Sequence, residues 1–300
     1  MDEHLVVLPL SAAGFDRFVS AWLVRDSERD WTCVVDPGPA RSWPTMREAV
    51  AVLGNSRVDL VLLTHVHIDH AGAAGLMVRE YGARVAVSAR GAPHLLDPAR
   101  LWEGSAKTLG ETAILFGEPV PVPQSHLVVD GPLPEGFSTL ETPGHASHHR
   151  CYIREDEGGA VLFAGEAAGV YLEGESPFPC LRPATPPPFF FDTCLASLES
   201  LMKRRYAKVC YAHFGSCREA GDMLSFAKDQ LLLWKDIALG RLRRGASPED
   251  VEGFIEEALE RDPFLAAWGN MEPAVREREG YYLRNSARGM MGAFAGASRG

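Results

Sequence analysis

Cysteines are few and long apolar runs are missing from this 300-residue sequence, and both shortages restrict the kind of protein that it encodes. The six cysteines include no Cys-x-x-Cys pair, which indicates reduced thiols rather than a disulfide framework. No apolar stretch approaches the length of a membrane span, and the polar start Met1-Asp2-Glu3-His4 does not resemble a signal peptide. These features predict a cytoplasmic protein without a membrane partner.

Basic residues are also in short supply, because 30 lysines and arginines stand against 40 acidic residues and leave a net charge of −10. Phosphate backbones require a basic face, so this balance argues against a nucleic-acid partner. The hydrophobic share of 46% is ordinary for a globular protein, and the length allows one large domain or two small ones. A small-molecule partner is expected, and a homodimer stays open beside a monomer.

Potential metal ligands are concentrated in residues 58–76, which read VDLVLLTHVHIDHAGAAGL. The apolar, β-favouring start predicts a buried strand, and the small residues at the end predict a helix. Between them lie His65, His67, Asp69 and His70. In extended backbone His65 and His67 point the same way, whereas the adjacent Asp69 and His70 point apart and suit a different centre. Imidazole and carboxylate together suit zinc, iron or manganese.

Three later strand ends also carry ligand-type side chains. His145 follows the tight turn Pro143-Gly144, after a predicted strand that leads into it. Glu166 follows the predicted strand 160–164, and His213 follows the predicted strand 208–211. A metal-binding interpretation of the first stretch therefore has candidate partners from distant parts of the chain.

The HxHxDH motif at 65–70, followed by these strand ends, resembles the signature of the metallo-β-lactamase superfamily over about residues 15–215. The resemblance implies two divalent metal ions, with zinc favoured and iron or manganese as alternatives. It assigns His65, His67 and His145 to one ion and Asp69, His70 and His213 to the other, with Glu166 between them. Most members have aspartate at the Glu166 position, so one ion or both could be bound by the longer side chain.

The same resemblance implies roles for residues near the ligands. Asp36 is expected behind them, where it would orient a ligand histidine. His149 is expected next to the substrate. Tyr171 opens a proline-rich segment that we interpret as a substrate wall, and it is predicted to bind substrate as well.

The implied fold is α/β, a four-layer αβ/βα sandwich with a C-terminal helical extension. Residues 1–217 would form this domain, with a lid-like, proline-rich insertion near 91–124, and residues 218–300 would form a helical appendage. Three polar side chains of that appendage are predicted to reach back toward the pocket: Tyr281, Tyr282 and Asn285.

A dinuclear centre predicts hydrolysis of an ester, thioester, lactone, amide or phosphodiester by a bridging hydroxide, with Asp69 placed to orient it and accept its proton. The run HASHH and the helical tail look closest to glyoxalase II-like metallohydrolases of unassigned substrate. A glutathione thioester would require several cationic groups, and the sequence offers no convincing set. Two alternatives stay open: an iron-dependent oxidoreductase such as a persulfide dioxygenase, and a non-catalytic metal-binding protein.

Overall fold

The computed structural model of the protein describes residues 1–172 and 180–296, in which two β-sheets lie face to face. Part of the proline-rich segment predicted as a substrate wall, residues 173–179, and the end of the tail, residues 297–300, lie outside the described residues. All six cysteines are free thiols, as their spacing indicates. No helix in the described ranges is long and apolar enough to cross a membrane.

The first sheet has six strands that follow each other in chain order. The first three pair antiparallel, and from the third strand onward the pairing is parallel. The strands are β1 (Asp2–Leu8), β2 (Val19–Asp26), β3 (Trp31–Val35), β4 (Leu60–Leu62), β5 (Arg84–Val87) and β6 (Leu127–Val129).

The second sheet has five strands in the order β13-β12-β9-β8-β7, and β9 and β12 run parallel. Two further strands, β10 and β11, form a separate antiparallel ribbon. The strands are β7 (Phe137–Glu141), β8 (Arg150–Asp156), β9 (Gly159–Gly165), β10 (Val170–Leu172), β11 (Cys180–Arg182), β12 (Lys208–Tyr211) and β13 (Ser216–Cys217).

Along the sequence, the first seven α-helices of the described residues lie between strands, and the last three follow the final strand. They are α1 (Trp43–Leu53), α2 (Ile68–Ala71), α3 (Ala74–Tyr81), α4 (Ala92–Leu96), α5 (Ala99–Leu109), α6 (Glu111–Phe116), α7 (Phe191–Met202), α8 (Ala220–Arg243), α9 (Val251–Arg261) and α10 (Pro273–Phe294). Helix α3 ends at Gly82 in the left-handed conformation, which glycine adopts without strain.

Alternating side chains of the first sheet enter two different hydrophobic clusters. Trp22 of β2 packs between the sheets, in one cluster with Phe163 of β9. Its neighbour Leu23 points the other way and lies in a cluster with Met46 of α1 and Met77 of α3. Because side chains alternate along a strand, one face of this sheet meets the second sheet and the other meets helices.

The second sheet has the same arrangement on its own outer face. Leu162 of β9 turns away from the first sheet and clusters with Leu198 of α7 and Leu224 of α8. Helix, sheet, sheet and helix layers therefore follow each other, which confirms the predicted αβ/βα sandwich with C-terminal helices.

The helices that follow residue 218 share the outer cluster of the first sheet. Trp234 of α8, Phe254 of α9 and Leu283 of α10 are all fully buried in the same cluster as Leu23. Helix α10 is 22 residues long. Its burial against the sandwich brings a C-terminal helix close to the strand ends described next.

Candidate metal centre

Ligand-type side chains gather where the carboxyl ends of parallel strands meet. Asp36 follows β3 and the segment 65–70 follows β4, which pairs parallel with β3. Glu166 follows β9 and His213 follows β12, which is the parallel pair of the other sheet. In open α/β sheets this edge is where ligands bind. The segment 142–149, between β7 and β8, completes the gathering.

All seven side chains that the sequence nominates as metal ligands come together at this edge, in two groups. The ligand atoms within each group lie within 4.8 Å of one another. One group is His65, His67, His145 and Glu166, and the other is Asp69, His70 and His213.

The Glu166 carboxylate contacts both groups. Its Oε2 atom lies 2.8 Å from Nε2 of His145 and 3.3 Å from Nε2 of His65, both in the first group. The same oxygen lies 3.6 Å from Nε2 of His70, and Oε1 lies 3.5 Å from Nε2 of His213. The longer side chain of glutamate thus reaches from the end of β9 to the ligands of both groups.

Asp69 and His70 do not point apart, so that part of the sequence interpretation is wrong. They lie in the single-turn helix α2 rather than in extended backbone, and neighbours on a helix point about 100° apart rather than to opposite sides. Asp69 Oδ2 therefore lies 3.4 Å from Nε2 of His70 and 3.9 Å from Nε2 of His213. The three residues still form a group separate from His65 and His67, as predicted.

Backbone carbonyls fix the ring orientation of two ligand-type histidines from behind. The Nδ1 atom of His145 lies 3.2 Å from the carbonyl oxygen of Ala184, and Nδ1 of His213 lies 3.1 Å from that of Phe18. A carbonyl only accepts, so each Nδ1 carries the proton and donates it. Each Nε2 faces Glu166, and in the neutral ring its lone pair is free to bind a cation.

Asp36 lies behind the ligands, as predicted, and is connected to His65 by hydrogen bonds through Thr64. The sequence did not suggest this role for Thr64. Asp36 Oδ1 accepts from the Thr64 backbone N–H at 2.8 Å, and Oδ2 accepts from the Thr64 hydroxyl at 2.7 Å. That hydroxyl lies 3.0 Å from Nδ1 of His65. Burial raises the pKa of Asp36 to about 6, against the opposing charge of His70. The chain of contacts holds the His65 ring in place.

His149 does not line the cavity, contrary to its predicted contact with substrate. Its ring is fully buried, where Nδ1 lies 2.8 Å from the Thr142 hydroxyl and Nε2 accepts from the Glu166 backbone N–H at 3.1 Å. His149 therefore positions the backbone of Glu166. The preceding His148 lines the cavity instead.

Tyr171 does not line the cavity either, although the sequence predicts that it binds substrate. It lies in β10 with a side chain that is 5% exposed, and its ring stacks on Tyr211 with centroids 4.9 Å apart. It belongs to the cluster under the second sheet, because the β10-β11 ribbon turns it inward. Tyr171 is absent from the cavity lining.

The residues at this site fit a pair of divalent cations. Nε2 of His65 and both ring nitrogens of His70 are buried and have no hydrogen-bond partner in the part of the chain that the structure describes, so their contacts with Glu166 do not satisfy them. Such orphaned nitrogens are rare in native proteins unless a metal or water takes them up. Imidazole nitrogens with carboxylate oxygens are the donors that zinc, iron and manganese accept.

The protonation of these groups also favours cation binding. Burial lowers the pKa of His67 to about 4, with help from the neighbouring His145, so the ring is neutral near pH 7. Burial alone would raise the pKa of Glu166, but His145 and His213 hold it well below its usual range. Burial opposes charge on His70, yet the carboxylates of Asp69 and Glu166 outweigh it and raise its pKa to about 9. A positive charge is thus favoured between these carboxylates.

A cavity of about 830 Å³ opens over the two groups. Asp69 and Glu166 lie in its wall, and the insertion near 91–124 contributes helix α5 to it. Pro186, Pro187, Pro188 and Phe190 belong to the described part of the predicted proline-rich wall and do line the cavity. Closure of the insertion as a lid stays a prediction.

Three arginines line this cavity, although the sequence offered no recognisable cationic set. Arg90 and Arg100 are exposed, whereas Arg182 is buried in β11. Tyr282 and Asn285 of helix α10 also line the cavity, in agreement with the predicted return of the tail, and Tyr281 does not.

The fold and its paired ligand groups define an α/β sandwich protein with a candidate dinuclear metal site. The chain belongs to the metallo-beta-lactamase superfamily, because that family's model matches residues 14–213. A metallo-beta-lactamase fold-containing protein of Sulfurisphaera tokodaii is 28% identical over 169 residues, which are 53% of this chain and 61% of the relative. A hydroxyacylglutathione hydrolase of Albidiferax ferrireducens is 31% identical over 54% of this chain and 51% of its own length.

A more distant relative is an atrochrysone carboxyl ACP thioesterase of Aspergillus fumigatus, 29% identical over 44% of this chain and 35% of its own length. The chain therefore spans about half the length of the curated relatives that it matches.

Among solved structures, an archaeal superfamily protein from Sulfolobus tokodaii has a TM-score of 0.61 at 23% identity, covering 77% of this chain and 86% of that one. A family protein from Thermus thermophilus covers 93% and 94% at a TM-score of 0.56 and 23% identity. Both likenesses concern the fold.

Proposed function

We propose that the protein is a metal-dependent hydrolase that uses a dinuclear centre to cleave an ester, thioester, lactone or related bond of a small molecule. The observation that carries the proposal is the Glu166 carboxylate, which contacts both ligand groups in the wall of an 830 Å³ cavity. Relatives named as a hydrolase and a thioesterase support the same reaction class.

Two divalent cations, with zinc foremost, are the group that these residues would hold. When bound, such cations lower the pKa of a water molecule and stabilise the charge that develops on the substrate oxygen. His65, His67 and His145 would hold one cation, Asp69, His70 and His213 the other, and Glu166 both. The protein contributes imidazole nitrogens and carboxylates that are already held in place, so little reorganisation accompanies the reaction.

Asp69 has a further role in this proposal. Its side chain is 13% exposed and lines the cavity, while Oδ2 faces His70 and His213. A carboxylate edge that faces both the ligands and the cavity is placed to orient the attacking water and accept its proton. General-base assistance of this kind contributes about 100- to 10,000-fold to a rate.

The proposal is tested by metal analysis of the purified protein together with turnover on a panel of thioesters, lactones and esters. We expect two divalent ions per chain, loss of turnover after chelation, and recovery when zinc or manganese is returned. Asp69→Asn should lower kcat by about 100-fold or more, whereas the exposed Asp222→Asn on helix α8 serves as the matched control. Full turnover by the chelated protein would refute the proposal.

An iron-dependent oxidoreductase is the second candidate, because histidine and carboxylate donors accept iron as well as zinc. A single iron with oxygen uptake in place of hydrolysis would favour it. A non-catalytic metal-binding protein would hold metal without turnover on any member of the panel.

A further inference from the structure

One wall of the cavity is rich in hydrogen-bond donors. Arg182 at the end of β11 and Tyr282 and Asn285 on helix α10 all line the cavity. The Tyr282 hydroxyl is buried and has no hydrogen-bond partner among the described residues. We call these three residues the donor wall. A buried donor without an acceptor is costly, so the wall favours an occupant that brings acceptor oxygens.

Ser286, which follows Asn285 on helix α10, shows that unpaired donors are not a general feature of this helix. Ser286 also lines the cavity, but its hydroxyl donates to the carbonyl oxygen of Pro183 at 3.0 Å and lies 3.4 Å from the backbone nitrogen of Thr185. Ser286 is therefore satisfied within the protein. Tyr282 is held differently, because its ring packs 5.0 Å from that of Phe18 and 5.4 Å from the guanidinium of Arg182.

Beside the wall two guanidinium groups share one carboxylate, and the Glu166 carboxylate that also acts on Arg182 is the one proposed to hold metal. Arg182 Nε donates to Glu279 Oε2 at 2.6 Å, and Arg278 Nε donates to the other oxygen, Oε1, at 2.9 Å. All three side chains are buried, so one carboxylate serves two guanidinium groups. Arg278 is further held by the carbonyl of Gly14, away from the cavity. Arg182 faces the cavity. Among the described residues, its Nε has a hydrogen-bond partner and its two terminal nitrogens have none.

A buried guanidinium in excess over carboxylate is stabilised by a further anion. The two terminal nitrogens of an arginine match the two oxygens of a carboxylate, and a phenol hydroxyl and an amide add donors to either oxygen. Glu279 anchors Arg182 through Nε, and the pair of terminal nitrogens is not part of that hydrogen bond. The wall is thus pre-organised for a planar anion.

We propose that the donor wall binds a carboxylate group on the acyl part of the substrate, so that the enzyme prefers acyl chains that end in a carboxylate. The inference rests on the proposed hydrolase function and adds the substrate class. Arg182 and Tyr282 act as specificity-determining residues rather than as groups that take part in bond cleavage. Arg182 is buried in the same cavity as Glu166, beside which the scissile bond must be held. We therefore assign the carboxylate to the acyl part of the substrate.

Two matched series of probes test this inference on the metal-loaded protein. The first series contains para-nitrophenyl esters of straight-chain acids of four to six carbons, with either a methyl or a carboxylate at the far end. The second contains the free product acids, measured by titration calorimetry. We expect the carboxylate-ended probes to be favoured by about 10- to 100-fold in kcat/KM and in binding at one or more chain lengths, as one charge-assisted pair allows.

The variants separate the wall from the rest of the molecule. Arg182→Met should remove the preference, measured as the ratio of kcat/KM for carboxylate-ended esters to kcat/KM for methyl-ended esters of the same length. Tyr282→Phe should reduce the preference by about tenfold or less. Arg284→Met and Tyr281→Phe are the matched controls, because both lie on α10 and neither lines the cavity. Arg182→Lys keeps the charge that Glu279 requires and loses the planar fork, so it tests the wall if Arg182→Met fails to fold.

Each outcome decides between distinct conclusions. Equal turnover of both ester series would overturn the donor wall and leave the hydrolase function standing. Arg182-dependent binding of dicarboxylic acids without any ester turnover would support the wall and refute the hydrolase. Loss of bound metal in Arg182→Met, with an unchanged preference, would show that Arg182 only balances Glu166 and would overturn the proposal. Tighter binding of a phosphonate-ended acid than of its carboxylate counterpart would overturn the assignment of a carboxylate.

Discussion

Replacing Thr64 by valine removes the hydroxyl that connects Asp36 to His65 while keeping the volume of the side chain. The hydroxyl donates to Asp36 Oδ2 at 2.7 Å and lies 3.0 Å from Nδ1 of His65. The backbone bond from Thr64 to Asp36 Oδ1 at 2.8 Å survives the change, so the carboxylate stays in place with one oxygen unpaired. The variant therefore disturbs ring orientation rather than the fold.

The expected magnitudes follow from these contacts. Hydrogen bonds to charged groups contribute about 1.5–3 kcal/mol, so the metal-free Thr64→Val protein should lose roughly 2 kcal/mol of its free energy of unfolding. Loss of a group that orients a ligand histidine typically lowers metal affinity by about 10- to 100-fold. Metal-induced stabilisation should then shrink by about 1.4–2.7 kcal/mol at saturating metal, because it follows the logarithm of the affinity.

Urea unfolding with and without zinc, together with a chelator-competition titration, measures both quantities. Thr32→Val is the matched control, because Thr32 is equally buried and its hydroxyl donates to the Gly54 carbonyl oxygen at 3.0 Å. It lies near the start of β3, whereas Asp36 follows the end of that strand. We expect Thr32→Val to cost about 1 kcal/mol and to leave metal affinity unchanged. Unchanged metal affinity in Thr64→Val would refute the orienting role.

Four further substitutions test the centre and the strand end that carries Glu166. His67→Ala or His145→Ala should release metal from the first group and lower activity by roughly 1,000-fold with the circular dichroism spectrum retained, because several kcal/mol of charge stabilisation are lost; full activity would contradict the ligand assignment. Glu166→Asp should keep activity but bind one ion more weakly in a metal titration, and equal affinity at both sites would tell against bridging. Gly165→Ala should cost roughly 3 kcal/mol in urea unfolding, because φ is +54° and the new Cβ would lie 2.4 Å from a histidine nitrogen. Its control Gly82→Ala has φ of +66° with open space around it, so about 1 kcal/mol is expected there, and similar losses in both variants would rule out the close contact.

The ligands could be found in the sequence because each follows a short apolar strand. The run Lys208–Tyr211 is a strand with the predicted bounds, and a ligand-type residue directly after such a run must lie at a sheet edge. The segment 65–70 carries four candidate ligands within six residues, so chance is a poor explanation. Local pattern therefore sufficed where strand end and ligand are adjacent.

The wrong assignments concern side chains whose surroundings are set by distant parts of the chain. His149 meets Glu166 across 17 residues of sequence, and Tyr171 stacks on Tyr211 of another strand. Neither contact has a local signal, because burial of a histidine or tyrosine depends on what packs over it. The short strands β10 and β13 escaped prediction for a related reason, since two or three residues show no periodicity.

The donor wall was invisible to sequence reasoning for the same cause. Arg182 and Glu279 are 97 residues apart, and each alone is an ordinary charged residue. Their pairing requires α10 to return to the separate β10-β11 ribbon, and the burial of Leu283 and Met290 in the common cluster holds α10 against the sandwich. A search for cationic residues along the chain could not separate Arg182 from the exposed arginines.

Glutamate at position 166 is consistent with two metal ions because its reach is used on both sides. The backbone N–H of Glu166 donates to Nε2 of His149 at 3.1 Å. The His149 ring and Thr64 approach position 165 so closely that a side chain larger than that of glycine would clash there. The backbone at the end of β9 is therefore fixed, and the carboxylate must span the distance by side-chain length. Its two oxygens then meet His145 at 2.8 Å and His213 at 3.5 Å. Removing a methylene from a fixed backbone must lengthen at least one of these contacts, which is why a shorter carboxylate would serve one group better than the other.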